Sequence, residues 1–302
     1  MNSKAVAPAL GETAITDKAW VAIFSDLIKA RLTFLVLLTT LVGFYAGSTG
    51  NSNWWLLLNT MLGTALVASG AAALNQLIER EYDACMERTE DRPLPSGRLQ
   101  PLTVLVLGTA FSAGGLIWLA WSVNLLTALL GAITLGSYLF IYTPLKRVTT
   151  LNTIVGAIPG ALPPLMGWVA ARNQINLGGW SLFAILFFWQ LPHFLAIAWI
   201  YRDQYRRAGF IMLPVVDTTG ERTGRQAVSH TLGLLPVSLA PVAFHVAGPI
   251  YLCGALLLGG AYLWYAAQFS RDLGVVRARQ LFFASILYLP LLLGLMAYDK
   301  IK

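Results

Sequence analysis

Six stretches of this chain contain no Asp, Glu, Lys or Arg: 32–78, 99–145, 148–171, 173–201, 226–270 and 280–298. A helix that crosses a bilayer needs roughly 20 apolar residues, and three of these stretches are about twice that length. Each long stretch breaks at a polar or turn-prone point: GSTGNSN at 47–53, SVN at 122–124, and Gly248-Pro249. The pattern predicts helices near 32–48, 54–76, 101–121, 124–143, 150–170, 179–200, 228–247, 249–268 and 280–298. The expected fold class is therefore all-α: a polytopic membrane protein of about nine transmembrane helices bundled around a central cavity. Uniform apolarity over such lengths excludes an outer-membrane barrel, whose strands alternate with period two over about ten residues.

The charges that remain are sorted by side. With the N-terminus inside, the inner segments hold 18 of the 21 Lys and Arg residues, and the outer segments hold 3. The positive-inside rule then places the N-terminus and both large charged segments, 75–98 and 201–225, in the cytoplasm. The expected location is a bacterial inner membrane, crossed many times. Topology accounts for the net charge of +7, so nothing points to nucleic acid. Residues 1–31 are expected to form a cytoplasmic tail and 32–302 a single membrane domain. Glu12 and Asp17, with no Arg-rich amphipathic pattern around them, do not suit a transit peptide. Cys85 and Cys253 form no CxxC and suggest neither a disulfide nor a thiolate metal site.

One inner segment is unusual. NQLIEREYDACMERTEDRPLPSG, residues 75–97, holds six of the fourteen acidic residues between two long apolar runs. If the preceding helix continues past Asn75, then Asn75, Glu79, Asp83 and Glu87 lie four apart on one face. An amide oxygen followed by carboxylates offers hard oxygen ligands, which suit magnesium shared with substrate phosphates. Arg80, Arg88 and Arg92 are then placed to meet phosphate oxygens. A solvated loop with internal Arg–Glu pairs would have the same composition.

The second inner segment, YRDQYRRAGFIMLP at 201–214, carries Asp203 between Arg202, Arg206 and Arg207. Alone it resembles any basic inner loop; opposite the first segment it would supply the other wall of a diphosphate site. In YTPLKR, Tyr142 and Lys146 lie four apart and Arg147 follows, although an interfacial Tyr and a snorkelling Lys are common at helix ends. His193, in WQLPHFLAIAW, is the one histidine near a charged inner loop. An intramembrane histidine is a functional candidate, with haem iron as one target, and a packing histidine is the plain alternative. The glycine-rich run IVGAIPGALPPLMG at 154–167 suits close helix packing or a broken helix beside a cavity.

NQLIEREYDACMERT with RPLPSG, then YTPLKR and NTIVGAIPGALPPLMGW, then WQLPHFLAIAWIYRDQYRRAGFIMLPVV together resemble the UbiA-type intramembrane prenyltransferase superfamily. The likeness runs from about residue 25 to the C-terminus, and the PHF block is similar to its haem-directed branch. The resemblance implies two acidic motifs that hold magnesium and prenyl diphosphate. The first matches Asn75, Glu79 and Asp83, with Glu79 where the family has Asp. The second matches Asp203, followed here by Gln204 where a second acid is usual. It also implies an aromatic ring, Tyr142, near the allylic cation and an ammonium, Lys146, near the diphosphate.

The implied reaction joins the farnesyl group of farnesyl diphosphate to a vinyl group of haem b, with water added, to give haem O for haem-copper terminal oxidases. In this reading Asn75, Asp83, Tyr142, Lys146 and Asp203 serve catalysis, and Asn75, Glu79, Asp83 and Asp203 hold magnesium. Arg80, Arg88, Arg92, Arg147, His193, Arg202 and Arg206 bind substrates. Haem is a substrate here and no permanent cofactor, and haem A synthase or oxidase-assembly proteins are the partners it implies. A UbiA-type enzyme acting on a quinone or chlorin precursor is the alternative, and a transporter a more distant one. The acids of this chain collect at one face, whereas transporters place ionisable groups near the midplane.

Overall fold

Backbone removed from water must satisfy its own hydrogen bonds, and the apolar stretches do so as helices. The computed structural model describes residues 19–50 and 53–301. A short helix α1 (Trp20–Leu27) precedes α2 (Ala30–Gly47), α3 (Trp54–Asp83) and α4 (Pro101–Ser122). Helix α5 (Leu125–Gly136) passes through a π-helical segment, Ser137–Tyr142, into the single turn α6 (Thr143–Leu145). Then come α7 (Asn152–Arg172), α8 (Leu177–Ile200), the short α9 (Arg202–Arg207) and α10 (Leu213–Val216), α11 (Glu221–Ala243), α12 (Pro249–Arg271) and α13 (Val275–Tyr298). Among the described residues there is no strand, only an isolated bridge between Ala247 and Lys300.

Eight of these units are long and apolar enough to cross a membrane. The ninth expected span is α11, and it differs from expectation. It begins at Glu221 where the sequence pattern placed the start near 228, and it ends at Ala243. The three charges of ERTGR (Glu221, Arg222 and Arg225) suggested a loop, yet they form its first turns. Glu221 favours the positive helix end. Asp217 closes that end by accepting from the Thr223 amide at 2.7 Å and the Thr223 hydroxyl at 2.8 Å. Helices α3, α5 and α8 are capped by Asn53, Asn124 and Asn176, whose side chains accept from Leu56, Thr127 and Gly179 amides. Pro101 and Pro249 occupy first helical positions, where no amide proton is needed.

The glycine-rich run belongs to the packing reading, since α7 is continuous through Pro159, Pro163 and Pro164. It presses against α2 so closely that a Cβ on Gly43 would stand 2.0 Å from the Pro164 carbonyl oxygen, and one on Gly167 equally close to that of Thr40. Small residues that admit backbone contact take the place of a hydrophobic driving force inside lipid. Large apolar side chains such as Trp121, Phe140, Leu257 and Leu287 point outward, the arrangement of a chain solvated by acyl tails. The main core lies among α7, α8, α11, α12 and α13. Three fully buried tyrosines, Tyr251, Tyr262 and Tyr288, each find a partner for the hydroxyl there.

Of the expected tail, residues 1–18 lie outside the described residues. From Trp20 the rest is ordered as α1, which is held to the bundle by the Gln76 amide donating to the Asp26 and Leu27 carbonyls at 3.0 and 2.8 Å. Leu27 is fully buried.

Candidate active site

Helix α3 does continue past Asn75, to Asp83. Asn75, Glu79 and Asp83 therefore share a face, and all three are buried. Glu87, fourth in the same register, lies beyond the helix end; it is exposed and pairs with Arg207 at 3.2 Å.

Each buried group of the face has a charged partner from a different segment. Lys146 places its ammonium 2.7 Å from the Glu79 carboxylate, and Arg92 reaches Asp83 at 2.5 Å. Lys29 donates to the Asn75 Oδ1 at 2.8 Å, and the Asn75 amide nitrogen donates to the Thr143 hydroxyl at 3.1 Å. Thr143 in turn donates to the Tyr138 carbonyl at 2.8 Å, a bond that reaches from the start of α6 back into the π-helical segment. That wider turn carries Tyr142, Thr143 and Lys146 onto the face of α3, as π-bulges often do at functional sites. The Lys146 ammonium also lies 4.7 Å from the centre of the Tyr142 ring, in cation–π range. A Cβ on Gly156 would collide with that ring, so the glycine leaves the room Tyr142 fills.

Burial opposes the Lys146 charge, but Tyr142 and the Glu79 carboxylate against it hold its pKa above the ordinary lysine value. Lys29 moves the other way: burial, reinforced by the nearby Arg92 guanidinium, lowers it to about 7. Beside Glu79 lies a narrow crevice lined by Ile78, Tyr82, Thr143, Arg147 and Phe210.

The second segment is brought next to the first, through Arg88 and Gln204. Arg88 lies between the rings of Tyr201 and Tyr205, 5.2 and 5.5 Å from their centres, and donates to the Tyr205 hydroxyl at 3.0 Å. The Gln204 side-chain oxygen accepts from the Arg88 amide at 3.4 Å. Asp203 faces away: its side chain is 73% exposed and pairs with Arg206 one helical turn on, at 3.1 Å. Asp203 is therefore outside the buried cluster, because the short helix α9 turns its neighbour Gln204 toward the first segment. Arg80 pairs with Glu81 at the surface, Arg147 covers and hydrogen-bonds Tyr82, and Arg202 lies over Trp199.

His193 sits on α8, its ring stacked against those of Trp189 and Phe282, each with its centroid 5.1 Å away. Its Nδ1 is 2.7 Å from the Ser285 hydroxyl.

The oxygen donors fit a magnesium ion. Among the described residues no three His, Cys, Asp or Glu side chains gather into a metal site by themselves. Two carboxylates and the Asn75 amide oxygen on one buried face are nevertheless what an ion needs if it takes one or two carboxylates and completes its shell with water and phosphate oxygens.

Residues 36–288 match the model of the UbiA prenyltransferase family. The chain belongs to this family. Curated relatives span nearly all of it. The protoheme IX farnesyltransferase of Solibacter usitatus (strain Ellin6076) is 49% identical over 92% of this chain and 98% of its own length. That of Koribacter versatilis (strain Ellin345) is 42% identical over 92% and 93%. Among solved structures, digeranylgeranylglyceryl phosphate synthase superposes with a TM-score of 0.78 at 14% identity, covering 92% of this chain and 98% of that one. A UbiA homologue from Archaeoglobus fulgidus bound to GPP and Mg2+ does so with 0.64 at 16%, covering 91% and 99%. At such identities the likeness establishes the UbiA fold alone. Within that fold, Lys29 and Thr143 join the cluster although no motif in the sequence marks them. The available signal was a lysine placed just before a charge-free run of 47 residues, 32–78.

Proposed function

We propose that this chain is a haem-directed prenyltransferase that transfers the farnesyl group of farnesyl diphosphate to a vinyl group of haem b. The bond from farnesyl C1 to the diphosphate oxygen breaks and diphosphate leaves. The terminal vinyl carbon bonds to C1, water adds to the adjacent vinyl carbon and loses a proton, and the product is haem O. The observation that carries this reading is the full-length likeness to protoheme IX farnesyltransferases, at 49% identity over 98% of one relative, on a chain whose buried inner cluster suits a metal-bound diphosphate.

In this reading Asn75, Glu79 and Asp83 hold magnesium, which when bound neutralises the diphosphate and stabilises it as a leaving group. The chain's own residues do the rest. Lys146, Arg92 and Lys29 exchange their present partners for diphosphate oxygens, a charge-assisted contact. The Tyr142 ring faces the allylic carbon and stabilises developing positive charge. Apolar walls keep water from the cation until the vinyl group has reacted. His193 meets the haem iron and positions the ring. The orientation has the N-terminus in the cytoplasm of a bacterial inner membrane, with haem A synthase or an oxidase-assembly protein as the recipient of haem O.

Mass spectrometry of haem extracted from cells lacking their own haem farnesylation, with and without this chain, tests the proposal. A new haem carrying a hydroxyethylfarnesyl group is expected. Unmodified haem together with a prenylated quinone or chlorin precursor would move the chain to another branch of the family.

A further inference from the structure

The His193 ring is held by more than packing. Trp189 lies one turn before His193 on α8, and Phe282 lies one turn before Ser285 on α13. Both aromatic rings stack on the imidazole with interplanar angles of 22° and 26°, which restrains its plane. The indole nitrogen of Trp189 donates to the Ser285 carbonyl at 2.8 Å. The Tyr262 hydroxyl, from α12, donates to the Trp189 carbonyl at 3.1 Å. Three helices are thereby tied together around one imidazole.

The hydroxyl of Ser285 decides which ring nitrogen is free. Ser285 is fully buried, and its single hydroxyl proton goes to the Phe282 carbonyl at 2.5 Å. Toward His193 the oxygen then offers a lone pair, and the 2.7 Å contact is a hydrogen bond when Nδ1 carries the proton. A neutral imidazole with Nδ1–H carries its lone pair on Nε2. That nitrogen has no hydrogen-bond partner among the described residues, and it is not among the sealed polar atoms that lack one, so it retains accessible surface.

We infer that Ser285 is a positioning residue for the haem substrate: with the Phe282 carbonyl behind it, it fixes the Nδ1–H tautomer of His193 and presents Nε2 as the axial ligand to the haem iron. The inference deepens the reading of His193 given above and rests on it. A metal-bound histidine commonly donates its other ring proton to a group behind it, and loss of that group costs about 10- to 100-fold in metal affinity. The Trp189 and Phe282 rings restrain the imidazole plane, so the direction in which Nε2 offers its lone pair is fixed.

Two measurements on the full-length protein in detergent test this. In the haem-free parent, nitrogen-15 chemical shifts of the His193 imidazole, assigned by their loss in His193→Ala, should report the Nδ1-protonated tautomer. An Nε2-protonated ring would overturn the inference without any further variant. In titrations with ferric haem b followed by the Soret band, the parent should give a histidine-ligated spectrum, and His193→Ala should lose it. Ser285→Ala should weaken haem affinity roughly 10-fold or more, with Ser285→Thr restoring it and farnesyl diphosphate affinity unchanged throughout. If His193→Ala binds haem with an unchanged spectrum, the ligand reading itself fails. If His193→Ala loses the spectrum while Ser285→Ala keeps parental affinity, the ligand stands and the role of Ser285 is refuted.

Discussion

The two large charged segments, 75–98 and 201–225, are similar in composition and opposite in structure. In the first, Glu79 and Asp83 are turned into the bundle and paired with Lys146 and Arg92, all but sealed from solvent. In the second, Asp203 and Arg206 pair on an exposed turn. The helix makes the difference. Helix α3 continues without interruption from the membrane through Asp83, so its register carries the carboxylates onto a packed face. Helix α8 ends at Ile200, and the six-residue α9 restarts the register. The same residue types are thus buried and paired where a long helix delivers them, and form a solvated clasp where it does not.

The strongest challenge to that contrast is Asp83→Asn. Activity should fall by at least about 100-fold, the scale on which removal of one preorganised electrostatic contact slows an enzyme. Haem binding, read from the Soret band, should survive. Near-parental turnover at high magnesium would show that burial does not mark the functional segment.

Next come Glu79→Gln and Lys146→Met. Each leaves a buried partner uncompensated, with an expected stability loss of about 3–5 kcal/mol. The double variant should regain most of that loss in a thermal unfolding assay while remaining inactive. A double variant as unstable as either single one would mean that the two side chains are not coupled.

A smaller effect is expected from Arg88→Ala, which opens the Tyr201–Tyr205 clasp. Cation–π contacts at exposed sites are worth about 0.5–1 kcal/mol, so a few-fold rise in KM for farnesyl diphosphate is expected, with little change in kcat. A fall in kcat alone would place Arg88 in the chemistry.

The least effect should come from Asp203→Asn. Exposed ion pairs contribute about 0–1 kcal/mol, so activity within about twofold and an unchanged magnesium titration are expected. A tenfold loss would mean that the second segment turns inward during turnover, and the contrast between the segments would not hold. Gln204→Asp gives the complement, since position 204 already faces the first segment. It should lower the magnesium needed for half-maximal rate if a carboxylate there can join the site.

The spans and the first acidic face were legible because a register repeated over α3 needs no tertiary information. Much else depended on neighbours. Residues 221–227 look like a loop until Asp217 caps them. Asp203 and Gln204 point about 100° apart on any helix; which of the two meets the first segment is a matter of packing that composition does not encode. Lys29 stood apart from the site in sequence, joined to Asn75 by a bond across 46 residues. Its backbone lies at φ 48°, a strained left-handed conformation for a lysine, and no local propensity would suggest it.

That bond between Lys29 and Asn75 has a consequence in the overall balance of the buried cluster. Glu79 and Lys146 cancel, and Asp83 and Arg92 cancel, but Lys29 meets a neutral amide. When Lys29 is protonated, the cluster holds one positive charge in surplus. A prenyl diphosphate carrying a single magnesium ion has about one negative charge. The incoming pair would thus bring the buried region to neutrality, whereas a prenyl alcohol, a monophosphate ester without metal, or free magnesium would leave it unbalanced. Selection of the loaded diphosphate would then be a property of the total charge, set by one lysine at the entrance to the first span.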